Sequence, residues 1–307
     1  MEHPFGVSVL IPVFNWSARE LLEALVQQAN QTIPFEIILL DDASTNKILV
    51  EQNRQLAEEI GAQYILLNEN RGRAFARNHL AEHATFDKLL FIDVDSVPKY
   101  ADFLIRYVAA GTQVEVVAGG TCYYDNPPEE TSKMLRWVYG KKREERALNL
   151  RQTEGFQKLS LNNFLISKSL FLSIRLNESL KEYGHEDTLF GLELEAGQSS
   201  LSHIDNPVYH TGLDHDIEFL AKSELAVQNL FLLSQQHDAI QNLRLFSASS
   251  YLAKSAFGHF IYWAGKKMKQ RLLDNLQSGD PNVTYLDILK VWLLIGKIQG
   301  KNPSLFS

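Results

Sequence analysis

Five short runs rich in Val, Ile and Leu alternate with stretches whose apolar residues recur at helical spacing: Val7 to Val13, Glu36 to Leu40, Tyr64 to Leu67, Leu89 to Ile92 and Val114 to Ala118. Short apolar runs bounded by polar, Gly or Pro residues are the pattern of strands buried on both faces. The stretches between them place Leu21, Leu22, Leu25 and Val26, then Leu49, Leu56 and Ile60, then Ala74, Ala76, Leu80 and Ala81, then Phe103, Leu104 and Tyr107 on helix faces. Strand alternating with helix predicts a mostly parallel, right-handed βαβ sheet with helices on both faces. Ligands of such sheets bind at the carboxyl ends of the strands, so the residues just after each strand are where chemistry is expected.

After Ala118 the rhythm breaks. Asn126-Pro127-Pro128-Glu129-Glu130 is turn material. The charged segment Lys133 to Arg151 reads as a solvated helix with i,i+4 ion pairs, or alternatively as a mobile flap over a ligand. From Asp216 three helical segments follow, Ile217 to Leu233, Tyr251 to Leu276 and Thr284 to Ile298, with Thr284 and Asp287 spaced as a capping box. The expected organisation is an α/β domain over 1–214 and a C-terminal helical region over 215–307. In that region Phe257, Phe260, Ile261, Tyr262 and Trp263 precede Lys266, Lys267, Lys269 and Arg271. This combination suits packing on the sheet domain or on another subunit, as in a homodimer, and it also suits peripheral contact with an anionic membrane surface.

The chain has 307 residues, with 30 Lys and Arg against 37 Asp and Glu, for a formal charge of −7. That balance argues against a nucleic-acid partner held through a general basic surface. The single cysteine, Cys122, forms no internal disulfide and fits a reducing cytoplasm. Met1-Glu2-His3-Pro4 lacks the basic start of a signal peptide, and Val291 to Ile295, closely flanked by Lys290 and Lys297, is too short to span a bilayer.

Three strands end in polar residues: Pro12-Val13-Phe14-Asn15, Asp41-Asp42-Ala43-Ser44 and Asp93-Val94-Asp95-Ser96. In extended chain Asp93 and Asp95 would point the same way, toward one ligand or one cation, and carboxylates suit Mg²⁺ or Mn²⁺. Between the acidic pairs, Asn70-Arg71-Gly72-Arg73 opens a helix that also carries Arg77, a corner that would suit a diphosphate. With one cysteine, thiolate zinc chemistry is poorly supported.

The ordered set Pro12 to Asn15, Asp41 to Ser44, Asn70 to Gly72 with Ala76-Arg77-Asn78, and Asp93-Val94-Asp95 resembles the N-terminal half of family 2 glycosyltransferases, which have the GT-A fold. Asn162-Asn163-Phe164 and Tyr183-Gly184-His185-Glu186-Asp187 resemble motifs farther along that family, so the likeness covers about residues 5 to 212. It implies a GT-A sheet followed by a helical extension, and an inverting transfer from a nucleotide-diphosphate sugar, a UDP-sugar above all. The acceptor would be a carbohydrate or lipid-linked hydroxyl of cell-surface polysaccharide or lipopolysaccharide synthesis. Pro12, Val13, Asn15, Asp42, Arg77, Asp93 and Asn163 would contact the donor, with Asp42 on the base. Asp95 and His210 would hold a divalent cation, Mn²⁺ or Mg²⁺. Asp187 would be the general base that deprotonates the acceptor, with Glu186 as its helper.

The chain has no Gln-x-x-Arg-Trp after Asp187, the motif associated with processive synthases, which favours single addition at the cytoplasmic side, with possible attachment to the inner membrane surface. Rival readings are a sugar-nucleotide-binding protein without catalysis and a sugar nucleotidyltransferase. The second lacks a Gly-rich N-terminal loop for a triphosphate, and a dehydrogenase would need Gly-x-Gly-x-x-Gly after the first strand.

Overall fold

The computed structural model describes residues 6–28, 33–179 and 184–306. Met1 to Pro4 and Tyr183, each part of a pattern considered above, lie outside the described residues. The elements are β1 (Val7–Val13), α1 (Arg19–Val26), β2 (Phe35–Asp41), α2 (Lys47–Ile60), β3 (Gln63–Leu66), α3 (Arg73–His83), β4 (Lys88–Ile92), β5 (Ser96–Pro98), α4 (Phe103–Gly111), β6 (Val116–Ala118) and β7 (Thr121–Cys122). There follow α5 (Met134–Tyr139), α6 (Leu148–Glu154), β8 (Asn163–Ser167), α7 (Lys168–Ile174), α8 (Glu186–Ala196), β9 (Leu201–His203) and β10 (Val208–His210). The chain closes with α9 (Asp216–Ser234), α10 (Asp238–Gln241), α11 (Arg244–Lys254), α12 (Gly258–Leu276) and α13 (Val283–Ile298).

All five expected strands form. They join a seven-stranded sheet of order β3-β2-β1-β4-β8-β6-β9, in which β8 alone runs antiparallel to its neighbours. Successive residues of a strand face opposite sides, and two cores result. Val9, Ile11, Leu90, Ile92 and Leu165 pack with α1, α2 and α4, whereas Leu10, Leu89, Phe91, Phe164 and Ile166 pack with α3, α7 and α8. In the second core Phe91 lies 5.0 Å from Phe164 and 4.8 Å from Phe171, and Phe171 lies 5.6 Å from Phe190 of α8. This aromatic stack anchors the helix whose first residues are Glu186 and Asp187. A second sheet, β5-β10-β7, brings the chain around His210 beside the turn that follows β4.

The described residues divide into two compact units. One is drawn from Met1–Tyr123, Glu144–Lys181 and Glu186–Gly212, and the other from Tyr124–Arg143, Glu182–His185 and Leu213–Ser307. The helical unit thus also takes the segment Tyr124–Arg143, which a single division at residue 214 leaves with the sheet.

Three local expectations are corrected. Lys133 to Arg151 is not one solvated helix: α5 passes into a π-turn at Gly140–Glu144 and α6 begins afresh at Leu148. Its cations find distant partners instead, Lys141 with Asp125 and Arg143 with Asp287, which hold the chain in this broken path. The segment Tyr251 to Leu276 is interrupted between Lys254 and Gly258, where the α-carbon of Gly258 comes so near the backbone that an added Cβ would sit 2.4 Å from the Ala253 carbonyl oxygen. Helix α13 is capped by Asn282, whose side chain accepts from the Thr284 amide, while Asp287 pairs with Arg143. Thr284 and Asp287 therefore form no capping box.

Candidate active site

The carboxyl ends of β1, β2 and β4 lie side by side, because β1 pairs in parallel with both β2 and β4. Val13 stands opposite Asp41 in the register, so the segment Pro12 to Asn15 meets the loop after β2. Asn15 and Ala43 both adopt positive φ, 51° and 58°. Left-handed backbone costs a residue with a Cβ about 1 kcal/mol or more, and it persists where the surroundings hold it. Here the holding contacts are explicit: the Asn15 side chain oxygen accepts from the Thr45 and Asn46 amides, and the Asn15 amide donates to Ser44 Oγ. The loop so fixed borders a cleft of about 440 Å³ lined by Ala43, Ser44, Thr45, Lys47, Leu66, Leu67 and Asn68.

Asp42 is buried and its two oxygens are engaged, one accepting the Arg71 amide at 2.7 Å and the other the Gly72 amide at 2.8 Å. Gly72 makes this possible by adopting φ 88° at the start of α3. The amides expected to greet a diphosphate at this corner are thus already satisfied by a carboxylate of the same chain. Asp42 stands at the cleft's edge as the clamp between β2 and α3. Its neighbour Asp41, assigned no role from the sequence, accepts from the Ser44 amide and from the Tyr64 hydroxyl. Burial and the Asp41 carboxylate push the Tyr64 phenol well above its ordinary range.

Of the three arginines in the Arg71 to Arg77 stretch, Arg71 and Arg73 are exposed and only Arg77 turns inward. Its side chain is 4% exposed and Nη2 donates to Asp93 at 2.5 Å. Nε and Nη1 are buried without a hydrogen-bond partner. Buried guanidinium donors without partners are uncommon and mark Arg77 as a candidate site residue.

Asp93 and Asp95 differ from the extended-chain expectation. The chain turns at Val94 and Asp95, closed by the Ser96 amide donating to the Asp93 carbonyl. The two carboxylates consequently have separate partners, Arg77 for Asp93 and the β10 end for Asp95. The Asp95 carbonyl accepts from the Thr211 amide and hydroxyl. Its Oδ2 lies 3.7 Å from His210 Nδ1, too far for a hydrogen bond, and that nitrogen is buried without a partner. Gly212 is required beside them, since a Cβ there would come within 2.1 Å of Asp95 Oδ2. An imidazole nitrogen and a carboxylate oxygen that face each other without bonding fit the donor set of a cation such as Mn²⁺, with further positions open to water and phosphate oxygens. No group of three or more His, Cys, Asp or Glu suited to a metal occurs among the described residues.

Asp187 opens α8 and accepts from the Thr188 amide. Burial raises its pKa to about 6, the Glu186 charge adds to the rise, and the Thr188 hydrogen bonds and the Arg77 charge oppose it. Arg77 thus pairs directly with Asp93, and its charge also lowers the Asp187 pKa. Asn163 is engaged elsewhere. Its amide donates to the carbonyls of Gly120 and Asn206 and its oxygen accepts from the Tyr107 hydroxyl, so the whole group is spent in bracing β8.

The profile of the family described as Glycosyl transferase family 2 matches residues 8–174, more than half of the chain. The chain belongs to glycosyl transferase family 2. An uncharacterised glycosyltransferase of Haemophilus influenzae is 30% identical over 142 residues, 41% of this chain and 46% of that protein. A putative teichuronic acid biosynthesis glycosyltransferase, TuaG of Bacillus subtilis, is 37% identical over 93 residues, 29% of this chain and 35% of that one. The matched part thus spans less than half the length of these curated relatives.

Among solved structures, the mannosyltransferase PcManGT of Pyrobaculum calidifontis superposes with a TM-score of 0.58 at 15% identity, covering 94% of this chain and 86% of that one. S. aureus TarS 1–349 does so with a TM-score of 0.51 at 19% identity, covering 96% and 92%. The fold is accordingly of the GT-A type, with a mixed, mostly parallel sheet and C-terminal helices.

This family 2 chain also brings to the strand ends two residues that sequence motifs do not mark. Tyr123 packs its ring 5.7 Å from that of His210, and its hydroxyl donates to Glu144. Arg151, buried beside Gly120, donates to the Ala118 and Ile204 carbonyls and ties α6 to the strand ends. The charge run around Glu144 was visible in the sequence, but its return to the sheet depends on the π-turn and was not.

Proposed function

We propose that the chain is an inverting, non-processive glycosyltransferase that moves one sugar from a nucleotide-diphosphate donor, a UDP-sugar, to an acceptor hydroxyl. The observation that carries this reading is Asp187: a carboxyl at the start of α8 raised to about 6, with the Glu186 and Arg77 charges acting on it, is basic enough to accept a proton yet ionised at neutral pH. As the acceptor oxygen bonds to the anomeric carbon, Asp187 takes its proton. The electron pair of the breaking sugar–oxygen bond leaves with the diphosphate on the opposite face. The open donors of Arg77 meet that growing negative charge.

Asp93 pairs with the Arg77 guanidinium and would face the donor's ribose or sugar, while the Glu186 charge helps keep Asp187 basic. Asn15 and Asp42 adjoin the loop that lines the proposed nucleotide cleft, while Pro12 lies behind them at the end of β1 and Val13 is buried in the core there. Asp95 and His210 would hold a divalent cation, Mn²⁺ or Mg²⁺, which when bound supplies positive charge to the donor phosphates. Solved relatives of the fold support this assignment: PcManGT was captured with GDP-Man and Mn²⁺, and TarS 1–349 with UDP-GlcNAc. The likeness to TuaG, named for teichuronic acid biosynthesis, favours a cell-surface polymer or its lipid-linked precursor as acceptor, modified at the cytoplasmic side.

The test is a thermal-shift panel of UDP-, GDP- and dTDP-sugars with and without Mn²⁺, followed by release of the nucleoside diphosphate. Stabilisation by a UDP-sugar that grows with Mn²⁺ is expected. A melting temperature unmoved by every nucleotide sugar in both conditions would sink the assignment.

A further inference from the structure

Helix α12 has two sides of opposite character. One is packed: Leu272, Leu273 and Leu276 are buried, Tyr262 stacks on Trp292 of α13 at 5.6 Å, and the Trp292 indole donates to the Tyr262 carbonyl. The other carries large apolar groups in solvent, with Phe260 63% and Trp263 56% exposed and their rings 5.9 Å apart. At 100° per residue Phe260, Trp263, Lys267 and Arg271 fall within an arc of about 80°, so they form one stripe. Phe257, 70% exposed in the turn before α12, and Tyr251, 78% exposed on α11, extend the aromatic content of this part of the unit.

Exposed aromatics in such number are not ordinary surface, and the cations beside them sharpen the meaning. Among the described residues, Lys254, Lys266, Lys267 and Arg271 have no acidic side chain within ion-pair distance. The exposed acid of α12 is Asp274, near its C-terminal end, which accepts from Gln270. Cations therefore outnumber acids along the stripe, in a protein whose net charge is −7. A second copy of the chain would set these cations against the same cations. A plane of anionic headgroups complements them, and the aromatic rings suit the boundary between headgroup and acyl chain, where an apolar body and a polar edge are both accommodated.

We infer that the Phe260–Trp263–Lys267–Arg271 stripe of α12, with the turn at Phe257, is a docking face for an anionic lipid bilayer. No helix among the described residues is long and apolar enough to cross a membrane, so the contact is one of lying on the surface. It rests on the helical unit alone and stands apart from the donor-site assignment.

The experiment is sedimentation of the purified full chain with sucrose-loaded vesicles of phosphatidylcholine alone or mixed equally with phosphatidylglycerol. The protein is expected to pellet with the anionic vesicles and to be released by about 0.5 M salt, where screening is nearly complete over contact distances. The variants F260S/W263S and K267E/R271E should each lower the partition coefficient roughly tenfold or more. Because all four positions are exposed, an unchanged melting temperature in both variants separates lost docking from lost folding. The inference is overturned if the wild-type chain stays in the supernatant, if it pellets equally with phosphatidylcholine alone, or if light scattering shows a dimer that F260S/W263S dissociates.

Discussion

Two carboxyls at the start of helices, Asp187 on α8 and Asp216 on α9, are both raised to about 6 by burial. Their surroundings differ in what else acts on them. Asp216 accepts the Leu135 amide, its other oxygen is buried without a partner, and the charge beside it is His215. Asp187 is pushed further by Glu186 and drawn back by Arg77, which is itself paired with Asp93 and has two buried nitrogens without a partner. A raised pKa by itself marks only burial. The charges that oppose and reinforce it are what distinguish a base from a structural acid.

The comparison breaks most directly on activity. Asp187→Asn is expected to lower transfer by about 10²- to 10⁴-fold while nucleotide-sugar stabilisation persists, and Asp216→Asn to leave transfer within a few fold. Full activity in the first variant, measured as nucleoside diphosphate release, would remove Asp187 as the base. Next in size is Arg77→Met, which leaves Asp93 without its partner and should cost about 2–4 kcal/mol in denaturant unfolding, toward the lower figure because Asp93 retains some solvent. The same change should move the acid limb of kcat/KM upward, because the Arg77 charge lowers the Asp187 pKa.

In the unaltered protein that limb should lie near pH 6, with activity falling tenfold per pH unit below it. A profile flat to pH 5 would separate Asp187 from catalysis.

Both acids carry a linkage to stability, and its sign is the same for each. A carboxyl whose pKa is higher folded than unfolded favours the folded state when protonated, so its contribution is lost as pH rises from about 4 to about 6. Asparagine at either position should therefore raise the melting temperature relative to the unaltered chain more at pH 7 than at pH 4. If only one variant shows this, the two acids are not equivalent in burial. The smallest effect concerns an ordinary helix start without a raised acid: Asn282→Ala should cost about 1 kcal/mol through the lost cap of α13, and Asp287→Ala less, as a surface ion pair.

The strands β1 to β4 and β6 were legible because a strand buried on both faces declares itself by composition, whatever packs on it. The path from Lys133 to Arg151 was not, because Lys141 and Arg143 of its π-turn pair with Asp125 and Asp287, partners outside the run that local spacing does not show. Asn163 illustrates the same limit at the site. The family resemblance implies a donor contact for Asn163, yet its position in β8 brings it against Tyr107, Gly120 and Asn206, which engage both its amide hydrogens and its side-chain oxygen.

The order of apolar runs, and the polar residues that end them, already dictated an α/β sheet and gathered Asn15, Asp42, Asp93 and Asp95 at one edge, since pleat and burial are local properties of a strand. Which of these groups bind one another was decided only by tertiary structure. Asp42 closes on the amides of Arg71 and Gly72, Arg77 turns inward to Asp93, and His210 stops short of Asp95. The protonation of Asp187 was decided there too, because a pKa depends on water excluded and charges brought near by chain segments far apart in sequence. The Arg77 charge acts on Asp187 only because the fold brings segments more than a hundred residues apart toward each other.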